Sequence, residues 1–253
     1  MARSTPTTSD YLTRIGLAEP QGTDLTALTT LQQAHLSHVP FENIDVYRRT
    51  GVRTDLDWSL DKIVARRRGG WCFENNGAFG WLLRSLGFEV TYLGAYVLLD
   101  DPDTDNMSHL CLRVDLDEPY LVDVGFGDSF TNPIPLNGRG TGNSEERPYR
   151  LEHDDVWVTL VEETDPPVPQ YRFTVTPRKL TDFTYQSTRL QTPGSGHFTE
   201  KPFATRSLGT GTDRVTLLAD RIRFRRDEAL TEEPVGSDAW NAVAKQWFGF
   251  ELD

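Results

Sequence analysis

RGGWCFENNGAFGWLLRSLGFEVTYLGAYVLL, residues 68–99, contains the change of pattern on which the fold turns. From about Cys72 to Leu86 the apolar residues Phe79, Leu82, Leu83 and Leu86 recur at intervals of three and four, the spacing of one buried helix face, and Gly87 supplies the break. Beyond Gly87 the period drops to two, so residues 88–99 read as a strand. Upstream the pattern stays helical. A short helix through Tyr11, Leu12 and Ile15 is expected to be capped at Ser9-Asp10 and stopped at Gly16. A second, begun by Thr23-Asp24, carries Leu25, Leu28, Leu31 and Leu36 on one stripe and ends before Pro40, whose ring cannot continue a helix. A third is expected over residues 59–68, with Leu60, Ile63 and Val64 inward and Gly69 as its stop.

Downstream, strand-like runs at 109–116, 120–124 and 156–162 are separated by the turn-rich DDPDTDN (100–106) and DLDEP (115–119). They predict a small antiparallel sheet or barrel from about residue 88 to about residue 190. Residues 137–148, NGRGTGNSEERP, read as an exposed loop, and the final segment as a strand over 221–225 followed by a helix over 238–248 capped by Ser237.

Composition narrows the function classes. Hydrophobic residues are 37% of the 253 and aromatics 11%, which is a folded globular protein and not a disordered one. A formal net charge of -12 repels phosphate backbones and anionic membrane surfaces, so nucleic acid and membrane are not expected as partners. One local basic patch, Arg66 to Arg68, either faces a phosphate-bearing ligand or caps a helix C-terminus. No apolar run approaches the roughly 20 residues that span a bilayer, and MARSTPTTSD has no apolar signal core, so a cytoplasmic protein is expected. Two cysteines without CxxC spacing make neither a disulfide framework nor a zinc site, and no metal is expected.

A free thiol in a reduced compartment can be chemical, and Cys72 is the candidate. The thiolate is the reactive form, and a place in the first turn of a helix, with its free N–H groups and positive dipole end, favours a negative sulfur. Gly69-Gly70 ahead of it allows a tight turn that leaves the sulfur uncovered. Among five histidines His109, in MSHLCLRV, is best placed as the base, since His35 and His38 sit at a helix end and His153 and His197 in polar, loop-like surroundings. Asp123, inside the apolar YLVDVGFG, is an acid that is costly to bury without a partner, and orienting His109 would provide one. The short turn after Asp117 makes 109–116 and 120–124 a hairpin able to bring the two together. Cys111 lacks a helix terminus and reads as core. Glu74 and Asn75 read as structural groups that satisfy backbone donors at the helix start. The GFG of Gly125 to Gly127 lets a ligand approach backbone N–H groups, though a lone GxG is not specific.

HLSHVPFENIDV, RGGWCFENN, SHLCLRV and VDVGFG, in this order, resemble the arylamine N-acetyltransferases over roughly residues 30–130, with a looser likeness around TYQSTRLQTPGSGHF. The resemblance implies an α+β fold with a cysteine-protease-like core: an N-terminal helical bundle (1–87) carrying the nucleophile, a central β-barrel (88–190) carrying His and Asp, and a C-terminal α/β lid (191–253). It implies Cys72, His109 and Asp123 as the catalytic triad. Ser108, Gly125 and Gly127 are implied as the positions nearest CoA, with Phe41, Val97, Phe126 and Phe198 lining the acceptor slot. The implied donor is acetyl-CoA or a related acyl-CoA, the implied acceptor an arylamine, arylhydrazine or N-hydroxyarylamine, and the implied course is ping-pong, as in xenobiotic metabolism. Two readings compete: an amide synthase that closes a polyketide macrolactam from a carrier-bound chain, and a transglutaminase-like or papain-like cysteine hydrolase. The sequence is silent on the oligomeric state.

Overall fold

The N-terminal helices α1 (Thr8–Arg14) and α2 (Leu25–His38) share one apolar cluster with the later helix α5 (Cys72–Ser85). The cap of α1 is Thr7 and not Ser9-Asp10: the Thr7 hydroxyl accepts from Asp10 N while the Asp10 carboxylate accepts from Thr7 N at 2.8 Å. Asp24 caps α2 as expected, accepting from Ala27 N at 2.8 Å. Between α2 and α5 run β1 (Phe41–Glu42), α3 (Ile44–Tyr47) and α4 (Leu56–Leu60). The helix expected over 59–68 starts earlier, at Leu56, and widens into a π-turn over Asp61–Ala65. It closes at Arg67, whose φ of 53° is left-handed. Its carbonyls are capped from α1, where buried Arg14 donates to the Ile63, Arg67 and Arg68 oxygens at 3.0, 3.3 and 3.4 Å. Arg66 and Arg68 instead make ion pairs, with Asp61 and with Glu42 and Asp45. The computed structural model describes residues 5–20, 22–99, 106–138, 147–209, 211–227 and 229–250; the predicted turn at 100–106 and loop at 137–148 lie mostly outside the described residues.

The seven strands that follow are β2 (Glu89–Val97), β3 (His109–Asp115), β4 (Pro119–Val122), β5 (Ile134–Pro135), β6 (Tyr149–His153), β7 (Val158–Glu162) and β8 (Val168–Arg178). They form one antiparallel sheet in the order β5-β4-β3-β2-β8-β7-β6. Ile134 from one edge and Leu151 from the other share a single buried cluster with Cys111, Leu160 and Phe173, so the sheet must curl on itself into a barrel. Alternation along β3 decides the two faces: Leu110, Leu112 and Val114 join the helical cluster, while Cys111 points into the barrel. Eleven-residue β8 escapes the periodicity because Pro169 and Pro177 interrupt it. Each proline sits beside a register shift, Pro169 opposite Val161 and Pro177 opposite Leu93, where a lost ladder donor is tolerated.

After α6 (Thr184–Leu190) the chain adds β9 (Ala204–Ser207), β10 (Arg214–Leu217), β11 (Arg221–Arg226), β12 (Ala229–Pro234) and α7 (Trp240–Phe248). The second sheet has the order β1-β9-β10-β11-β12, with α7 packed on it through Trp240, Ala244 and Phe248. Ala239 rather than Ser237 is the N-cap of α7, with no side-chain bond. Because β1 pairs with β9, Phe41 next to α2 is held by a strand that begins at residue 204. Among the described residues no helix is long and apolar enough to cross a membrane. The class is α+β.

Candidate active site

Cys72 is the first residue of α5, which places its sulfur at the positive end of the helix. The turn before it is tied by Glu74, whose carboxylate accepts from Trp71 N at 3.2 Å. Glu74 is itself buried, so it needs a countercharge. Lys62, 1% exposed, donates to both its oxygens at 3.0 Å and reaches Asp45 at 2.9 Å and Glu42 at 3.7 Å. Arg68 completes the network on Glu42 at 2.7 Å. The Gly69-Gly70 pair serves close packing here: a Cβ at Gly69 would lie 2.1 Å from the Pro40 oxygen, and one at Gly70 would lie 2.7 Å from Glu74 Oε2. Asn75 is structural too, donating to the Gly70 oxygen at 3.0 Å.

The hairpin of β3 and β4 brings His109 and Asp123 together, with His109 Nε2 2.6 Å from Asp123 Oδ2. A carboxylate only accepts, so Nε2 carries the hydrogen and Nδ1 is the ring nitrogen left for another partner, with the Cys72 sulfur among the groups that favour the charged ring. His109 and Asp123 are each 2% exposed. Burial alone would push the imidazole down. The Asp123 charge, the hydrogen bond to it and the sulfur of Cys72 outweigh burial and push His109 up to about 10, so the ring is imidazolium at neutral pH.

The Asp123 carboxylate is saturated. Oδ2 also accepts from Tyr171 OH at 3.0 Å, and Oδ1 accepts from Asn76 Nδ2 and from Gly125 N, both at 2.8 Å. Burial first, and the Asp123 charge after it, raise Tyr171 well above the ordinary phenol value, which keeps it a donor. Asn76 also accepts from Val124 N at 2.9 Å and donates to the Leu110 oxygen, stapling α5 to the strand and loop that carry the other two groups. Neither Asn76 nor Tyr171 figures in the sequence reading. Asn76 is one helical turn beyond Cys72, a spacing that flags it; Tyr171 lies on β8, whose pattern is broken by proline.

The remaining predicted residues gather here. The Ser108 carbonyl oxygen is 3.9 Å from Cys72 Sγ, and its hydroxyl accepts from Val97 N at 3.3 Å. Gly125 lies directly on the helix start: a Cβ there would meet Cys72 Cα at 2.7 Å and Asn76 Nδ2 at 2.6 Å. Gly127, with φ of 90°, would place a Cβ 3.4 Å from the Phe41 ring. Phe126 sits edge-on to His109 at 5.1 Å. Opposite, Phe198 stands 6.2 Å from Phe41 and 5.9 Å from Trp71. After the GFG loop, Asp128 takes the guanidiniums of Arg147, Arg214 and Arg225 at 2.7, 3.0 and 2.7 Å, binding that loop to the second sheet. Among the described residues no group of three His, Cys, Asp or Glu side chains could hold a metal. A cavity of about 550 Å³ between Val52–Leu56 and Leu180–Thr188 contains none of these residues.

A helix-start cysteine beside a buried histidine and a saturated carboxylate is an arrangement that nucleophilic acyl-transfer chemistry uses. The family model described as N-acetyltransferase matches residues 24–253. An arylamine N-acetyltransferase of Mycolicibacterium smegmatis is 38% identical over 198 residues, 74% of this chain and 72% of that one. The solved arylamine N-acetyltransferase from Salmonella typhimurium superposes with a TM-score of 0.91 at 26% identity, covering 97% of this chain and 92% of that one. The Mycobacterium marinum enzyme in complex with CoA superposes with a TM-score of 0.85 at 29% identity, covering 96% and 93%. The chain belongs to the arylamine N-acetyltransferase family.

Proposed function

We propose that Cys72, His109 and Asp123 transfer an acetyl group from acetyl-CoA to an arylamine, arylhydrazine or N-hydroxyarylamine. The observation that supports this best is the 2.6 Å bond from His109 Nε2 to Asp123 Oδ2, set beside a cysteine that opens α5. The Cys72 thiolate attacks the thioester carbonyl, an S–C bond forms, and the bond to the CoA sulfur breaks. CoA leaves as the thiol with the proton from imidazolium His109. An amine then attacks the acetyl-cysteine, neutral His109 takes its proton, and amide formation restores the thiolate and imidazolium. Asp123 keeps the ring in the tautomer that presents Nδ1 to sulfur.

Ser108, Gly125 and Gly127 are assigned to the donor. The absence of a Cβ over Cys72 suits the approach of a thioester, and the M. marinum relative binds CoA. Phe41, Val97, Phe126 and Phe198 are assigned to an acceptor that is neutral at pH 7 and so suits an apolar slot. Residues 1–87, 88–190 and 191–253 are taken as the units that supply nucleophile, base and lid. The partners are small molecules, not nucleic acid or membrane, and the compartment is the cytoplasm.

Intact mass after incubation with acetyl-CoA alone tests the reading. An adduct of about 42 Da that disappears in Cys72→Ala supports an acetyl-cysteine. No adduct from acetyl-CoA, but one from a carrier-bound acyl chain, overturns the CoA assignment. Thioester turnover without any amine identifies a hydrolase instead.

A further inference from the structure

Asn43, in the FENIDV stretch, stands at the N-cap of α3, where an asparagine ordinarily accepts from the backbone of its own helix. Its side chain makes no such bond. Glu42 Oε2 accepts from Ile44 N instead, and Asn43 turns its side chain toward a loop more than 150 residues further along the chain. Nδ2 donates to the carbonyl oxygens of Phe198 and Lys201, both at 2.8 Å, and Oδ1 accepts from Phe203 N at 2.8 Å. The Asn43 backbone N–H adds a bond to the Phe203 oxygen at 3.3 Å. Asn43 is 1% exposed, so its own amide is withdrawn from water while its partners are partly exposed.

The loop so held carries two rings. Phe198 and Phe203 stand 6.1 Å apart and 6.2 and 5.8 Å from Phe41, whose own ring abuts Gly127. Phe198 also meets Trp71, the residue before Cys72, at 5.9 Å. All three phenylalanines are half-buried, an apolar surface left partly open beside the nucleophile. Within the turn His197–Thr199 the Thr199 hydroxyl bonds only locally, donating to the Gly196 oxygen at 3.0 Å and accepting from Gly194 N at 3.3 Å. The Asn43 amide thus ties Phe198 to the FENIDV segment, while Phe203 is held by that amide, by the Asn43 backbone and by the adjoining β1–β9 pairing.

We infer that Asn43 is a specificity-determining positioning residue: by holding Phe198 and Phe203 over the approach to Cys72, it sets the preference for planar aromatic acceptors. The inference rests on the proposed acetyl transfer, and the two separate experimentally because loading of Cys72 precedes acceptor binding. Asn43→Ala removes all three side-chain bonds, and Asn43→Ser, which leaves a smaller void, is made alongside so that a folded variant carries the test. Each variant is first loaded with acetyl-CoA and its acetyl-enzyme quantified by mass. Transfer from the loaded enzyme is then timed with an arylamine and with methylhydrazine, a small acceptor that has no ring to stack.

The expected result is near wild-type loading, near wild-type transfer to methylhydrazine, and an arylamine-to-methylhydrazine ratio of kcat/KM lowered about tenfold, carried mostly by the arylamine KM. A ratio within twofold of wild type in a folded variant overturns the inference, as does a fall in both acceptors together. Wild-type protein that takes no acetyl group from acetyl-CoA overturns the underlying function and is read before any variant is made.

Discussion

Asp123→Asn is the sharpest perturbation of the site, because all four of its partners donate. His109 Nε2 and Tyr171 OH converge on Oδ2, and Asn76 Nδ2 and Gly125 N on Oδ1. An asparagine amide accepts on one oxygen only, so its NH2 faces two donors whichever way it turns. If it turns toward His109, the ring must give up its Nε2 hydrogen and present N–H to the sulfur, which is the wrong tautomer for a base. If it turns away, Asn76 and Gly125 N lose their acceptor. The charge is lost in either case. Raising an imidazole from 6.5 to about 10 is equivalent to about 5 kcal/mol of preference for imidazolium, most of it owed to Asp123. Loss of that preference leaves the His109 ring without the carboxylate that holds its charge and tautomer, and single-turnover acetylation should fall by about 10³ or more. Rapid-quench mass spectrometry with acetyl-CoA measures it, with circular dichroism to show that the variant is folded. A folded Asp123→Asn protein that acetylates within tenfold of wild type refutes the assignment of Asp123.

The same imidazolium makes a statement about pH. Its stabilisation is fully present below the ordinary value of 6.5 and is lost as pH rises through about 10, so urea unfolding should show the protein more stable at pH 6 than at pH 10, with the difference reduced in Asp123→Asn. The same pH dependence in the wild type and in Asp123→Asn contradicts the pair. Lys62→Met strips the buried countercharge from Glu74, Glu42 and Asp45 and should cost about 3–5 kcal/mol, a fall in Tm of about 10 °C by calorimetry, partly recovered in the double variant with Glu74→Gln. An unchanged Tm in the single variant shows that the network is dispensable. Gly125→Ala forces a methyl to within 2.7 Å of Cys72 Cα, where only backbone can yield; a loss of about 1–3 kcal/mol in urea unfolding and of acetyl loading is expected. Wild-type loading in this variant excludes close approach of the loop to the thiol.

Local pattern was enough for a large part of the molecule. Thr23-Asp24, Leu28, Leu31 and Pro40 bracket α2, and Phe79, Leu82, Leu83 and Gly87 bracket α5, because a helix face repeats within a few residues and its ends carry their own residue types. The β3–β4 hairpin was legible for the same reason, its strands being separated by one short turn. The implied triad rested on motif likeness more than on physics. The sequence could not tell a close-packed glycine from one that shapes a turn, as at Gly69 and Gly70, because that depends on what lies opposite.

Tertiary structure alone decided everything that depends on distant residues meeting. β8 was hidden because its prolines are tolerated only at bulges, and with it Tyr171, the fourth donor on Asp123. Arg66 and Arg68 looked like a basic patch and are neutralised by Asp61, Glu42 and Asp45, while the helix end beside them is capped by Arg14. Asn43 has the residue type of a helix cap and serves instead to hold a loop beyond residue 190. Charges, hydrogen bonds and van der Waals contacts act through space within a few ångströms, and the sequence orders residues along a chain. Cys72 at a helix start is therefore readable, and the histidine, carboxylate and phenyl rings around it are fixed only when residues 43, 76, 109, 123, 171 and 198 are folded together.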